Sequence, residues 1–599
     1  MSDPTVTNVP TNPDDGTGSG DDEPGPSNPP PTTGTSTSTT TPTTPFVNPV
    51  FNPELGPKIA PAPTNLFDVP DPQPSTVSAD PTDLLQSPDV VMSPSTTIWR
   101  GFGVNASIED PANLSNQLNN LNFQWARFFM VTEDPGSDGI LYTTTAMDDL
   151  WENSVNIQRQ NTRFSYSTFT YAKSTIIFTI PSAPPSWLTM DGLNELRGDA
   201  LIAFARYWTS AVVVHRKYGM YVKYMELLDE PSTNDGTFVT PDNYVVLIQT
   251  VRCMLQLRGV QDIFIMGPGL PTVISRFQQV EPYISAFLGK DTLIDAWSIH
   301  ALENSKDCDF YNSGTFAARR YMATNLLRNV YFMKWTIASI PIFVTKFATA
   351  ATRYSFADFG PGAPEMNDYA IRLMDNLTAI MNSGCSIALA WSLFSQRDPK
   401  SIYRRDGSRR PQREAISYVN RTLPTSGTIY TPSPDPPRSD TMDQTLKSAV
   451  VSNNSFGIIL SRAQLTDGLV GKMNIQLNNP AWTPSCAAST ISIYCFPSMI
   501  DTSGVTYKLT FGNGHLRLDF TQLPYQCTIF VKGDVYDKMC SLNPPLSFAS
   551  FNIPKVADLS AITSPKEGDI VYDIRSNTLK TWHSGVWASA GVPKLTDAA

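Results

Sequence analysis

Histidine and cysteine are scarce in this 599-residue chain, at four and seven residues. With no CxxC pair and no histidine-rich cluster, neither a disulfide scaffold nor a metal site is expected. Long apolar runs are missing too. No stretch approaches the roughly 18–20 residues a bilayer span requires, and Met1-Ser2-Asp3-Pro4 is no basic region leading into an apolar one, so membrane insertion and a cleaved export leader are not expected. Basic charge is short: 44 Lys and Arg stand against 55 acids, a formal charge of −11. That is the wrong sign for a protein that displaces counterions from a phosphate backbone, so nucleic acid is not expected as a partner.

The deficit of bases is local. Residues 1–57 contain no Lys or Arg and seven acids, which leaves 48 acids against 44 bases in a nearly neutral remainder. In residues 1–50, 34 positions are Pro, Gly, Ser or Thr and the only aromatic is Phe46. Such a segment buries too little apolar surface to offset the entropy of ordering, and residues 1–95 are expected to form a disordered or extended arm. Four cysteines, Cys486, Cys495, Cys527 and Cys540, fall in one C-terminal stretch, where bridges and buried thiols are both open readings.

From Trp99 to Phe394 one unit recurs: a segment of helical periodicity, a glycine or polar break, then a short β-rich apolar run. Thr240-Pro241-Asp242 starts a helix that runs to Leu257 and stops at Gly259, with a strand at Ile263-Phe264-Ile265-Met266. Strands are predicted near 99–104, 125–131, 174–181, 221–229, 260–267, 293–300, 340–346 and 386–394. Eight apolar strands alternating with helices predict an α/β fold, a closed (β/α)8 TIM barrel over 96–420. An open nucleotide-binding sheet would need a third glycine after Gly101-Phe102-Gly103 and a helix start. Neither is present, and no cofactor is expected. Beyond Pro424 short alternating runs at Phe456–Leu460, Ile491–Cys495, Tyr507–Phe511, Leu516–Phe520 and Thr528–Val531 predict an antiparallel β-sandwich over 421–548. Residues 549–599 alternate like a small hairpin motif carrying Trp582 and Trp587, similar to terminal motifs of viral fibre proteins.

Trp99-Arg100-Gly101-Phe102-Gly103, Pro181-Ser182-Ala183-Pro184-Pro185-Ser186-Trp187 and Leu228-Asp229-Glu230-Pro231 follow one another at predicted strand ends. Trp297-Ser298-Ile299-His300, Pro341 to Phe347 and Leu389-Ala390-Trp391 continue the series. This order resembles glycoside hydrolase family 30, of the clan of retaining (β/α)8-barrel glycosidases, over about 95–550. The resemblance makes Glu230 the acid/base, with Asp229 where the family has Asn. It puts Lys346 at the nucleophile position and assigns Arg127, His300, Trp391 and Trp187 with Asp229 to the sugar site. Leu302 and Ser182 stand where the family has Tyr and Trp.

Retaining cleavage needs two carboxyl groups about 5–5.5 Å apart. An ammonium cannot form the glycosyl ester, and its charge opposes an oxocarbenium-like transition state. No acid lies between Phe332 and Ala357 to replace it. Lys346 is expected to pair with Glu230 and hold it ionised. The reading is a catalytically inactive, glycosidase-like virion protein, a capsid protrusion or fibre component on the virion surface. It is expected to be homo-oligomeric, to attach to other subunits through the arm, and to take a glycan as a possible partner. Alternatives are an active glycosidase using Asp229, Glu303 or Asp398 as base, and a secreted or cell-surface adhesin.

Overall fold

A computed structural model of the chain describes most residues from Val90 to Ser589. Segments left out include 1–89, 108–120, 161–173, 303–325, 350–363, 434–445, 463–472 and 538–554. The predicted arm to residue 89 thus lies outside the described residues. All six of its remaining positions, 90–95, fall in the strand β1 (Val90–Trp99), so the boundary expected at 95 lies inside a strand.

Eight parallel strands close a barrel in chain order: β2 (Phe102–Ser107), β3 (Trp125–Phe129), β4 (Thr175–Thr179), β5 (Val222–Glu226), β6 (Phe264–Pro271), β7 (Ala296–Leu302), β8 (Ile342–Ala348) and β9 (Ile387–Ala390). Each predicted run meets one of them. The first, 99–104, straddles two elements, because Trp99 ends β1 and Arg100-Gly101 break the chain before β2. The helix Pro241–Leu257 begins as read: Thr240 Oγ1 accepts from the Asn243 N–H at 3.4 Å, and Pro241 occupies the first turn, where no N–H is needed.

The barrel interior is built in two layers by the two-residue period of its strands. Trp125, Ile177, Tyr224, Met266, Ala296, Phe343, Ile387 and Leu389 form an apolar plug. Two residues further along five of these strands come Arg127, Thr179, Glu226, Ser298 and Thr345, all fully buried. A charged layer therefore sits directly on an apolar one, at the strands' C-terminal ends. Gly269 makes that layer possible: a Cβ there would lie 2.6 Å from both Glu226 Oε1 and His300 Nε2.

Beside the barrel stands a nine-stranded, mostly antiparallel sheet of β1 with β10 (Gly427–Ser433), β11 (Leu446–Val451), β12 (Ser455–Arg462), β13 (Met473–Asn478), β14 (Cys486–Phe496), β15 (Tyr507–Gly512), β16 (His515–Phe520) and β17 (Cys527–Asp537). Alternation sorts its side chains. Ala449, Val451, Phe456, Ile458, Leu460, Ile529 and Val531 share a core with Val90, Ile475 and Leu516. Val450, Ile459 and Phe530 face the other way into the core of the barrel and its helices. The sheet thus rests on the helices Pro364–Asn382 and Pro411–Thr422. A separate small sheet contains β18 (Lys555–Val556), β19 (Ile570–Asp573), β20 (Thr578–His583) and β21 (Val586–Ser589), with Trp582 and Trp587 edge to face across the last pair. Among the described cysteines Cys253, Cys385, Cys495 and Cys527 are thiols, not disulfides. No helix among the described residues is long and apolar enough to cross a membrane.

β1 joins the two halves of the large sheet, antiparallel to β10 and parallel to β13. Val90, Met92 and Trp99 are buried from it, at about 1.5–3 kcal/mol per side chain. That total is large against an ordinary domain stability of about 5–15 kcal/mol. A chain starting at Val90 is expected to give the same urea unfolding transition as the full chain. One starting at Arg100, with the edges of β10 and β13 opened, is expected to aggregate or lose its transition in urea denaturation.

Candidate active site

Arg127 lies at the centre of the barrel mouth. Its Nη1 donates to Asn105 Oδ1 at 2.9 Å, and its Nη2 donates to Glu226 Oε1 at 2.5 Å and Asp229 Oδ1 at 2.7 Å. Ser298 Oγ donates its one proton to Glu226 Oε2 at 2.8 Å, so the Thr345 hydroxyl, 2.6 Å away, is the donor to Ser298. Glu226 accordingly has both oxygens engaged and is fully buried. Burial alone would raise its pKa, but the charge of Arg127 and the hydrogen bond and charge of His300 outweigh it and hold the carboxyl at about 2.

His300 is surrounded by carboxylates. Its Nδ1 lies 2.9 Å from Glu230 Oε1, and its Nε2 lies 3.3 Å from Glu226 Oε1 and 3.6 Å from Asp229 Oδ1. With acceptors at both ring nitrogens, the stable form is the imidazolium, which donates from each. Burial opposes that charge, yet Asp229, Glu226 and Glu230 together raise the pKa above its ordinary value.

Lys346 and Glu230 share the cavity, as expected, but they are not the primary pair. Lys346 Nζ lies 2.8 Å from Asp229 Oδ2 and 3.7 Å from Glu230 Oε1, because Asp229 is placed to bridge Arg127 and Lys346. Glu230 is held in the left-handed backbone region, φ 56°, just before Pro231. Its pKa is lowered as expected, with a different leading cause. Burial acts upward, the His300 hydrogen bond and charge act downward, and the Lys346 charge comes after them. Asp229 is driven further down, against burial, by Arg127, His300 and Lys346.

Trp391 is half-buried at the end of β9, with Phe129 edge-on at 5.4 Å. Lys346 Nζ sits 4.7 Å over its ring. One face of the ring is thus covered by Lys346, the residue that the resemblance puts at the nucleophile position. Trp187 does not belong to the mouth. It is fully buried in the helix-side core, its Nε1 donating to the Gly136 carbonyl at 3.0 Å. Glu303 and Asp398 lie outside the described residues.

Glu226, Asn105, Ser298 and Thr345 were missed in the sequence. The available signal was the inward period: Glu226 follows the plug residue Tyr224 by two, as Arg127 follows Trp125. Donor atoms of Glu226, Asp229 and His300 lie within 4.8 Å of one another, near enough to hold a metal ion. The guanidinium of Arg127 already bonds the facing oxygens of both carboxylates. A divalent cation would have to displace it, so the donor set fits an ion-pair network better than a metal.

Three carboxylates thus face Arg127, Lys346 and a protonated His300, and this balance sets a pH dependence. The raised pKa of His300 gives stability that is full below its ordinary 6.5 and is lost as pH rises through its folded value. The lowered pKa of Glu226 gives stability that is full above its ordinary 4.5 and is lost as pH falls toward about 2. Urea denaturation is expected to show the network's largest contribution between about pH 4.5 and 6.5. His300→Gln is expected to abolish the decline on the alkaline side.

No family model matches the chain, and no curated protein matches it by sequence. Among solved structures, a conserved exported protein from Bacteroides fragilis superposes with a TM-score of 0.51 at 12% identity, over 74% of this chain and 99% of its own. A family-30 endoxylanase from Clostridium papyrosolvens gives 0.48 at 13% identity, over 74% of this chain and 100% of its own. The family-30 xylanase C catalytic domain from Talaromyces cellulolyticus gives 0.48 at 14%, over 74% and 99%. What is shared is the fold. That fold, common to this chain and the Bacteroides fragilis protein, is a closed parallel barrel with a mostly antiparallel sheet.

Proposed function

We propose that this chain is a glycosidase-like barrel without glycosidase activity, used as a structural protein on the surface of a viral particle. The observation that carries the loss of activity is the position of the Lys346 ammonium, 2.8 Å from Asp229, 3.7 Å from Glu230 and over the face of Trp391. Retaining hydrolysis needs one protonated carboxyl and one free carboxylate across the scissile bond. Here Glu230 is held ionised by His300 and Lys346, Asp229 is bound between Arg127 and Lys346, and Glu226 is inaccessible.

Support for the particle role comes from the sequence: an acidic Thr/Pro-rich segment without a base through residue 57, suited to tethering, and a C-terminal β-motif bearing Trp582 and Trp587. In this role the barrel serves as a rigid protruding body, and the arm joins it to other subunits. Cyclophellitol-type epoxides and aziridines, which esterify the nucleophile of retaining glycosidases, test the loss of activity. Intact mass spectrometry is expected to show no adduct after prolonged incubation, whereas an adduct mapped to Asp229 or Glu230 would contradict the proposal.

A further inference from the structure

The barrel-facing side of the large sheet packs on the helix Pro411–Thr422 through β12, β17 and the edge strand β14, and beside this contact opens a polar cavity of about 420 Å³. Leu121 and Asn122, which line it, precede β3 and so lie at the N-terminal end of the barrel strands. The mouth with Glu230 and Lys346 is at the opposite end, and the cavity shares no residue with it.

Ser492 and Lys532 are direct partners across the β14–β17 ladder, as are Tyr494 and Phe530. The two-residue period places Ser492, Tyr494, Lys532 and Asp534 on one face, the face on which Phe530 enters the barrel-side core. Tyr494 stacks on Tyr418 with ring centroids 5.0 Å apart and planes 20° apart. That contact fixes the ring at the wall of the cavity that Tyr494 lines. From the helix come Arg421, which is exposed, and Asn420, which is 9% exposed. Asn420 Nδ2 donates to the Leu121 carbonyl at 2.7 Å, while its Oδ1 has no hydrogen-bond partner. A buried acceptor without a partner is costly, and a ligand hydroxyl or N–H would satisfy it.

A fixed aromatic ring, an amide and a hydroxyl around a cavity of small-ligand size form a surface that suits a sugar: the ring takes the apolar face and the polar groups take the hydroxyls. Arg421 and Lys532 against Asp534 leave one positive charge in excess, which favours an anionic ligand. We propose that this junction cavity is a binding site for a saccharide carrying a carboxylate. The sugar ring lies on Tyr494, the carboxylate is held by Arg421 and Lys532, and hydroxyls reach Asn420 and Ser492. The proposal does not depend on the barrel mouth being inactive.

Titration of the full-length protein with sialyllactose, a glucuronate-containing disaccharide and lactose, followed by ligand-observed NMR, tests it. At least one acidic probe is expected to bind, with lactose about tenfold weaker or more, and Arg421→Ala or Lys532→Ala is expected to cost about tenfold or more. Tyr494→Phe is expected to retain binding. Arg421 is exposed, so its variant is expected to keep the parent unfolding curve, and Lys532→Ala provides an independent second test. Failure of both acidic probes to bind at millimolar concentration overturns the proposal, as does equal binding of lactose. Unchanged affinity in both alanine variants overturns it as well.

Discussion

Arg127→Met is expected to destabilise the barrel by about 3–5 kcal/mol, the cost of removing one partner from a buried ion pair. Methionine fills much of the same volume, so little of this loss comes from a cavity. What is lost is the one group that bonds Asn105, Glu226 and Asp229 together. Without the guanidinium, burial acts on Glu226 with less opposition, its pKa rises, and the destabilisation becomes strongly pH-dependent. The paired variant Arg127→Met with Glu226→Gln, which also removes the stranded charge, is expected to recover part of the loss. Urea denaturation of the three proteins reads this directly. A change below about 1 kcal/mol in the single variant, the range of exposed ion pairs, would show that the network carries little of the fold.

The barrel was legible because parallel strands covered on both faces appear as unbroken apolar runs. Ile177-Phe178 and Phe343-Val344 announce their strands without any alternation to decode. Helix boundaries followed local rules, as at Thr240. Glu230, Lys346, Arg127, His300 and Trp391 were found because each stands at a strand's C-terminal end in a recognisable series. The partners inside the mouth were not legible, since a strand sequence gives no distances: Lys346 pairs first with Asp229, and His300 rather than Lys346 leads in lowering Glu230. Trp187 follows Pro-Pro-Ser much as a loop aromatic in a sugar site would, yet the chain turns it inward onto Gly136. The junction cavity was beyond reach of any spacing rule, because Asn122, Arg421 and Lys532 meet only once the sheet is laid against the barrel helices.

Lys346→Glu is expected to leave the protein inactive and to destabilise it, although it restores the residue type of a retaining nucleophile. The substitution removes the ammonium from Asp229 and Glu230 and puts a fourth carboxylate into a mouth whose remaining cations among the described residues are Arg127 and His300. Repulsion raises the pKa of Glu230 toward that of a proton donor. The substitution also uncovers Trp391. Even so, Asp229 remains tied to Arg127, and Leu302 and Ser182 still stand where the resembled family carries Tyr and Trp, so substrate positioning, a large part of the rate enhancement, is not regained.

The most direct measurement is the initial rate of hydrolysis of a panel of aryl glycosides and β-linked polysaccharides by the natural protein, Lys346→Glu and Glu230→Gln side by side. An ion-paired, proton-poor mouth predicts that none of the three exceeds the uncatalysed rate. Turnover by the natural protein that disappears in Glu230→Gln would contradict it.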